Sequence, residues 1–196
     1  MRELIRQYFD IAFLMGKPQD LPAGDAQMRV GIALALITYI LALAVPYGVG
    51  RSLMQALIDL ACSGCVMWLA LHLVGRKERF EQAFGGLCGA SMFINLAALP
   101  LYSMRPAVNA ESNASMAGLA DFVLLVWGLS LLAHVVRHTF EVKLPISILI
   151  SFIYFILLSS IIAALMPAPA TTDVLQPVSM FIGEPLSIIA TLWLLA

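Results

Sequence analysis

Charge is scarce in this chain. Asp, Glu, Lys and Arg make up 12% of its 196 residues, about half the share of an ordinary soluble domain, and a soluble surface cannot be covered on that supply. The charges also nearly cancel, with 11 basic against 12 acidic residues. That leaves no basic footprint and predicts no nucleic-acid partner. Cysteine is sparse too. Cys62, Cys65 and Cys88 are odd in number and all lie in apolar stretches, which excludes the disulfide framework of a small secreted scaffold. No cleavable signal is legible, because residues 1 to 29 interleave Arg2, Glu3, Arg6, Asp10, Lys17, Asp20 and Asp25 where a signal peptide needs an unbroken apolar core. A nucleophile elbow, a zinc-protease helix motif and carboxylates paired for acid/base work are missing. We therefore expect no enzyme, no cofactor and no metal.

What is abundant is apolar surface. Hydrophobic residues make up 61% of the chain, and the mean hydropathy is +0.93. A helix that crosses about 30 Å of hydrocarbon needs about 20 apolar residues and satisfies its own backbone inside the membrane. Five stretches meet this test, at about 30–47, 52–74, 80–102, 119–136 and 144–166. The sequence thus predicts an all-α polytopic bundle with three parts. Residues 1–29 form an amphipathic segment and turn, 30–166 hold five spans, and 167–196 form a loop and an apolar tail. Gly183, Glu184 and Pro185 interrupt the tail, so it reads as interfacial or re-entrant, with a sixth span as the alternative. The run 107–118, rich in Ala, Ser and Asn, reads as an exposed loop.

Lys and Arg are retained on the cytoplasmic side of short loops. Arg2, Arg6, Lys17, Arg29, Arg76, Lys77, Arg79, Arg137 and Lys143 fall on one side, and only Arg51 and Arg105 on the other. The expected location is a multi-pass membrane protein with a cytoplasmic amino terminus. Ahead of the first span, Leu4, Ile5, Tyr8, Ile11, Ala12 and Met15 recur at helical spacing opposite Arg2, Glu3, Arg6, Gln7 and Asp10. That pattern predicts an interfacial amphipathic helix, broken by the turn Gly16-Lys17-Pro18-Gln19-Asp20-Leu21-Pro22. It reads as a docked anchor, or else as a helix that binds a soluble partner.

Four groups of residues are candidates for more than packing. Asp59 lies well inside the second span, where a carboxylate is costly and faces a partner or a water-filled cavity. Asn95, at similar depth on the third span, is the expected other half of an intramembrane polar pair. A structural pair is the first reading, and a proton or ion site is the second. Cys62-Ser63-Gly64-Cys65 has the CxxC spacing of redox pairs, with Cys88 at a similar depth; mid-membrane burial disfavours the thiolate and favours cysteine as a small apolar residue. His134 and His138 share a helix face with His72 near their level. No carboxylate or thiol completes a coordination set, so interfacial histidines are the better reading. Gly85, Gly86, Gly89 and Ala90 put small residues four apart on the third span, which lets another backbone come close.

The pattern resembles the Yip-type (Ypt/Rab-interacting protein) family of integral membrane domains. The resemblance rests on the Pro-containing turn at residues 16–22 followed by five close-spaced spans. The third opens with Phe80-Glu81-Gln82-Ala83-Phe84 and ends near Leu99-Pro100-Leu101, and the fourth carries Leu125-Val126-Trp127-Gly128-Leu129-Ser130 before a basic link. It implies a non-catalytic scaffold or adaptor for other membrane proteins or copies of itself, and no functional residue transfers. The chain lacks the long amino-terminal domain of eukaryotic members, and a small bacterial inner-membrane protein fits better. A small transporter or channel component that uses Asp59, and a thiol or quinone redox subunit, are the alternatives.

Overall fold

The structure is a computed structural model that describes residues 1–104 and 114–165. The carboxyl-terminal tail, and with it the choice between an interfacial segment and a sixth span, lies outside the described residues. Among the described residues six helices follow one another: α1 (Arg2–Ala12), α2 (Asp25–Tyr47), α3 (Val49–Leu73), α4 (Phe80–Met104), α5 (Ala114–Phe140) and α6 (Leu144–Leu165), with single 3-10 turns at Pro18–Asp20 and Lys77–Arg79. Helices α2 to α6 each contain a segment long and apolar enough to cross a membrane, so the architecture is an all-α bundle of the kind expected.

The boundaries differ from the sequence reading where caps and prolines decide. α2 starts at Asp25 rather than near residue 30, because Gly24 turns the chain with φ +124° and Asp25 pairs with Arg29 one turn on. α4 runs through Pro100 to Met104; a proline one turn from the end of a membrane helix frees few backbone groups, and neighbours can satisfy them. α5 starts at Ala114, so the second part of the expected 107–118 loop is helical. It also continues to Phe140, which places Arg137 and His138 on the helix rather than in the link. A single residue, Gly48 at φ +77°, joins α2 to α3, a left-handed conformation that glycine adopts without strain.

Sequence neighbours form the hairpins α2/α3 and α5/α6, but the most extensive pairing is α2 with α4, which run parallel, and α6 closes the bundle by touching both α5 and α3. Small residues explain that pairing. A Cβ on Gly31 of α2 would come to 2.5 Å from the Gly85 carbonyl oxygen and 3.2 Å from the Gly89 nitrogen, so the two backbones meet across three glycines. One buried cluster, with Tyr8, Ile11, Leu71, Phe84, Leu131 and Val135, fills the end where Arg76, Arg79, Arg137 and Lys143 lie. This is called the basic end below. A second, around Ala42, Leu43, Ala98, Tyr102 and Leu124, fills the other end.

Candidate functional site

Two constellations stand out. The first is the seat of the amino-terminal segment. α1 has three faces: Tyr8, Ile11 and Ala12 are fully buried against the bundle, Arg2, Glu3 and Arg6 are exposed, and Ile5, Phe9 and Phe13 form an open apolar edge. The seat is built from the small residues of α4. The Tyr8 ring lies on Gly89, Leu21 and Ile11 lie on Gly86, and Gln27 lies on Gly85, while Ala90 is fully buried. The face expected to admit another backbone therefore admits this chain's own α1, turn and α2.

Polar side chains fix the seat by donating to backbone carbonyls of neighbouring elements, some of them, such as Ala12 O and Leu21 O, without a helical partner of their own. The Tyr8 hydroxyl donates to Gln27 O at 2.6 Å, and Gln27 Nε2 donates to Glu81 O at 2.6 Å. Gln82 Nε2 donates to Leu21 O at 2.7 Å and Trp127 Nε1 to Ala12 O at 2.8 Å. His134 Nε2 meets Gly16 O at 2.6 Å, and Gln19 Nε2 donates to His138 O. Ala12, Gly16 and Gln19 thus climb α5 through Trp127, His134 and His138 toward its basic end. Phe9 makes an edge contact with Phe93, ring centroids 5.4 Å apart, and Phe13 packs on Trp127 at 5.3 Å. Burial pushes the Tyr8 phenol up to about 12, with Cys88 adding to the effect; the ionised form would lose its acceptor and be desolvated. The docked-anchor arrangement is thus tighter than an interfacial helix lying on a surface.

The second constellation is a polar layer inside the spans. The Asn95 amide donates to Thr38 Oγ1 at 3.2 Å, and Thr38 in turn donates back to Leu34 O at 2.8 Å. The bond Asn95 makes is thus to α2, not to Asp59 on α3 as the depth argument predicts; depth alone does not say which faces meet, and the close α2–α4 pairing puts Thr38 opposite Asn95. Asp59 lies inside α3, half-buried. The Tyr154 hydroxyl donates to Ser63 O at 2.9 Å, which fastens α6 to α3 beside it.

The other candidates separate. All three cysteines are free; Cys65 faces outward and Cys88 is buried in the core, so their similar depth does not bring them to the same face. His134 and His138 stack edge to face at 4.5 Å, while His72 is exposed and stacks on Trp68 at 5.1 Å. Among the described residues no group of three His, Cys, Asp or Glu is placed to hold a metal.

One feature of the basic end has no forecast in the sequence. Glu141, at φ +55°, receives Arg76 at 2.8 Å and Arg79 at 2.7 Å. The same two guanidinium groups donate to Thr139 O at 3.3 and 3.0 Å. They neutralise the exposed carbonyl end of α5 and tie the α3–α4 link to the α5–α6 turn. Hydrogen bonds from Arg79 and Arg76 hold the Glu141 carboxyl below the usual carboxylate range. A basic cluster signals an acidic partner, but which acid fills that role depends on the turn.

Comparison with known proteins gives no match, whether to a family model, a curated protein or a solved structure.

Proposed function

We propose that this protein is a non-catalytic scaffold or adaptor of the Yip-like type, with its amino terminus in the cytoplasm of a bacterial inner membrane, where it holds other membrane proteins or copies of itself. The observation that supports the reading best is how the polar side chains are used. Tyr8, Gln27, Gln82, Trp127, Arg76 and Arg79 all donate to backbone carbonyls that join one element to another. They make the bundle a stiff body, while large apolar side chains cover its outside. The face of Gly85 to Ala90 is filled from within, so association falls to the outward side of α3. There Met54, Leu57 and Trp68 surround Ala61 and Cys65, small exposed residues four apart.

Cys65 supplies the test. Mild oxidation of native membranes should cross-link the protein through Cys65, to itself or to a companion identified by mass, and Cys65→Ser should abolish the product. A protein that remains a lone uncross-linked monomer at native abundance contradicts the reading.

The position of the Asp59 carboxylate inside a span favours a second reading, a small proton-coupled transporter. Proteoliposomes separate the two. A proton flux that Asp59→Asn abolishes, in a variant that still assembles, establishes the transporter and removes the scaffold; no flux in either protein leaves the scaffold reading in place.

A further inference from the structure

The α5/α6 hairpin encloses a cavity of about 190 Å³ that neither the amino-terminal seat nor the polar layer uses. Val126, Ser130 and Ala133 of α5 and Ile148, Ser151 and Phe152 of α6 line it. Its wall is almost wholly apolar, because Ser130 turns its hydroxyl back onto Val126 O at 2.7 Å. It opens sideways between side chains that are themselves exposed, Val126, Ile148 and Phe152. An apolar cavity of about 150 Å³ accepts a benzene-sized hydrocarbon, so this one accepts several methylenes of a chain that enters from the side.

The charge above the cavity selects the chain's owner. Arg137 follows Ala133 by four residues and Ser130 by seven, which places it on the same strip of α5, one turn nearer the basic end. Lys143 immediately precedes α6, whose first residue Leu144 lies one turn before Ile148. The backbone bond from Val142 N to Arg137 O, 3.2 Å, closes the turn between the two bases. Arg76 and Arg79 share Glu141, whereas among the described residues neither Arg137 nor Lys143 has an ion-pair partner. Two uncompensated cations thus stand over a hydrocarbon slot at one end of helices long enough to span a bilayer.

We propose that this groove binds one anionic phospholipid, with its phosphate at Arg137 and Lys143 and a length of acyl chain in the α5/α6 cavity. A helix of a second copy is the rival occupant. It suits the site less well, because helix pairs in membranes need small residues at the rim so that backbones can approach, and this rim carries Val126, Ile148 and Phe152. The proposal is independent of the scaffold reading, since a transporter with the same hairpin would bind the same lipid.

Native mass spectrometry of the full-length protein in detergent, titrated with phosphatidylglycerol or with phosphatidylcholine of the same chains, tests it. The expected result is one tightly retained phosphatidylglycerol and a weaker phosphatidylcholine. Arg137→Gln and Lys143→Gln should each weaken phosphatidylglycerol about fivefold and phosphatidylcholine, whose choline offsets the charge of its phosphate, by less. Ser130→Phe, which fills the cavity, should weaken both. A photoactivatable acyl chain on phosphatidylglycerol should label α5 and α6 of the unaltered protein, a readout that survives if a variant misfolds. Equal retention of the two lipids, or labelling only elsewhere, overturns the proposal. So does a Ser130→Phe protein that changes oligomeric state but keeps its lipid.

Discussion

The Tyr8 ring occupies the space that a side chain on Gly89 would need: a Cβ there would stand 2.4 Å from two ring carbons. An aromatic ring held by its neighbours cannot give way as a flexible chain end can, so Gly89→Ala must displace α1 or strain α4. The expected loss is about 1–3 kcal/mol, read as a lowered unfolding temperature in detergent together with faster proteolysis near residue 14. Gly128→Ala is the control. Nothing lies within 4 Å of its Cβ, and alanine should stabilise the helix by up to about 1 kcal/mol.

Tyr8→Phe keeps the ring and removes the bond to Gln27 O, for an expected cost of about 1 kcal/mol. The pH dependence carries a second signature. The folded phenol titrates at about 12 against an ordinary 10.0, so its raised value gives stability that is complete below pH 10 and lost as pH rises from 10 toward 12. That alkaline phase should be absent from Tyr8→Phe when unfolding is followed by circular dichroism.

Leu14 closes α1 at φ +63°, with Met15 N and Gly16 N both returning to Asp10 O at 2.7 and 2.9 Å. This is the left-handed position that glycine normally fills at a helix end. Leu14 is 44% exposed, so little packing is lost on truncation. Leu14→Gly should stabilise the protein by about 0.5–1 kcal/mol, measured as an upward shift of the thermal midpoint.

Acid should loosen the basic end. The Glu141 carboxyl titrates below its ordinary 4.5 because Arg79 and Arg76 hold it. A depressed value gives stability that is complete above pH 4.5 and lost as pH falls below it. Hydrogen exchange at the α5–α6 turn should quicken below pH 4.5 in the unaltered protein. Glu141→Gln should show that faster exchange already at neutral pH and no acid step, and added salt should narrow the difference.

The spans were legible because hydrocarbon demands one thing, a run of apolar residues, and length alone states it; the five segments fall within a few residues of those expected, apart from the start of α2 at Asp25 and both ends of α5, at Ala114 and Phe140. The amphipathic start of the chain was legible from spacing for the same reason. Which faces meet was not. Gly85, Gly86 and Gly89 announce a close approach without naming its source, and here the sources lie far away in sequence, down to Tyr8 of α1. Asp59 and Asn95 share a depth, yet rotation about each helix axis sends Asn95 to Thr38. Glu141 was invisible because its role comes from a three-residue turn, not from a periodic pattern.

The parallel pairing of α2 with α4 bears on the order of assembly. The residues around Tyr8 have their seat on Gly86 and Gly89 and their clasp on Trp127 and His134, all made after them. Neither exists when α1 is made. The helix must therefore wait unsecured while α2 to α5 are synthesised, and its closure marks a completed seat.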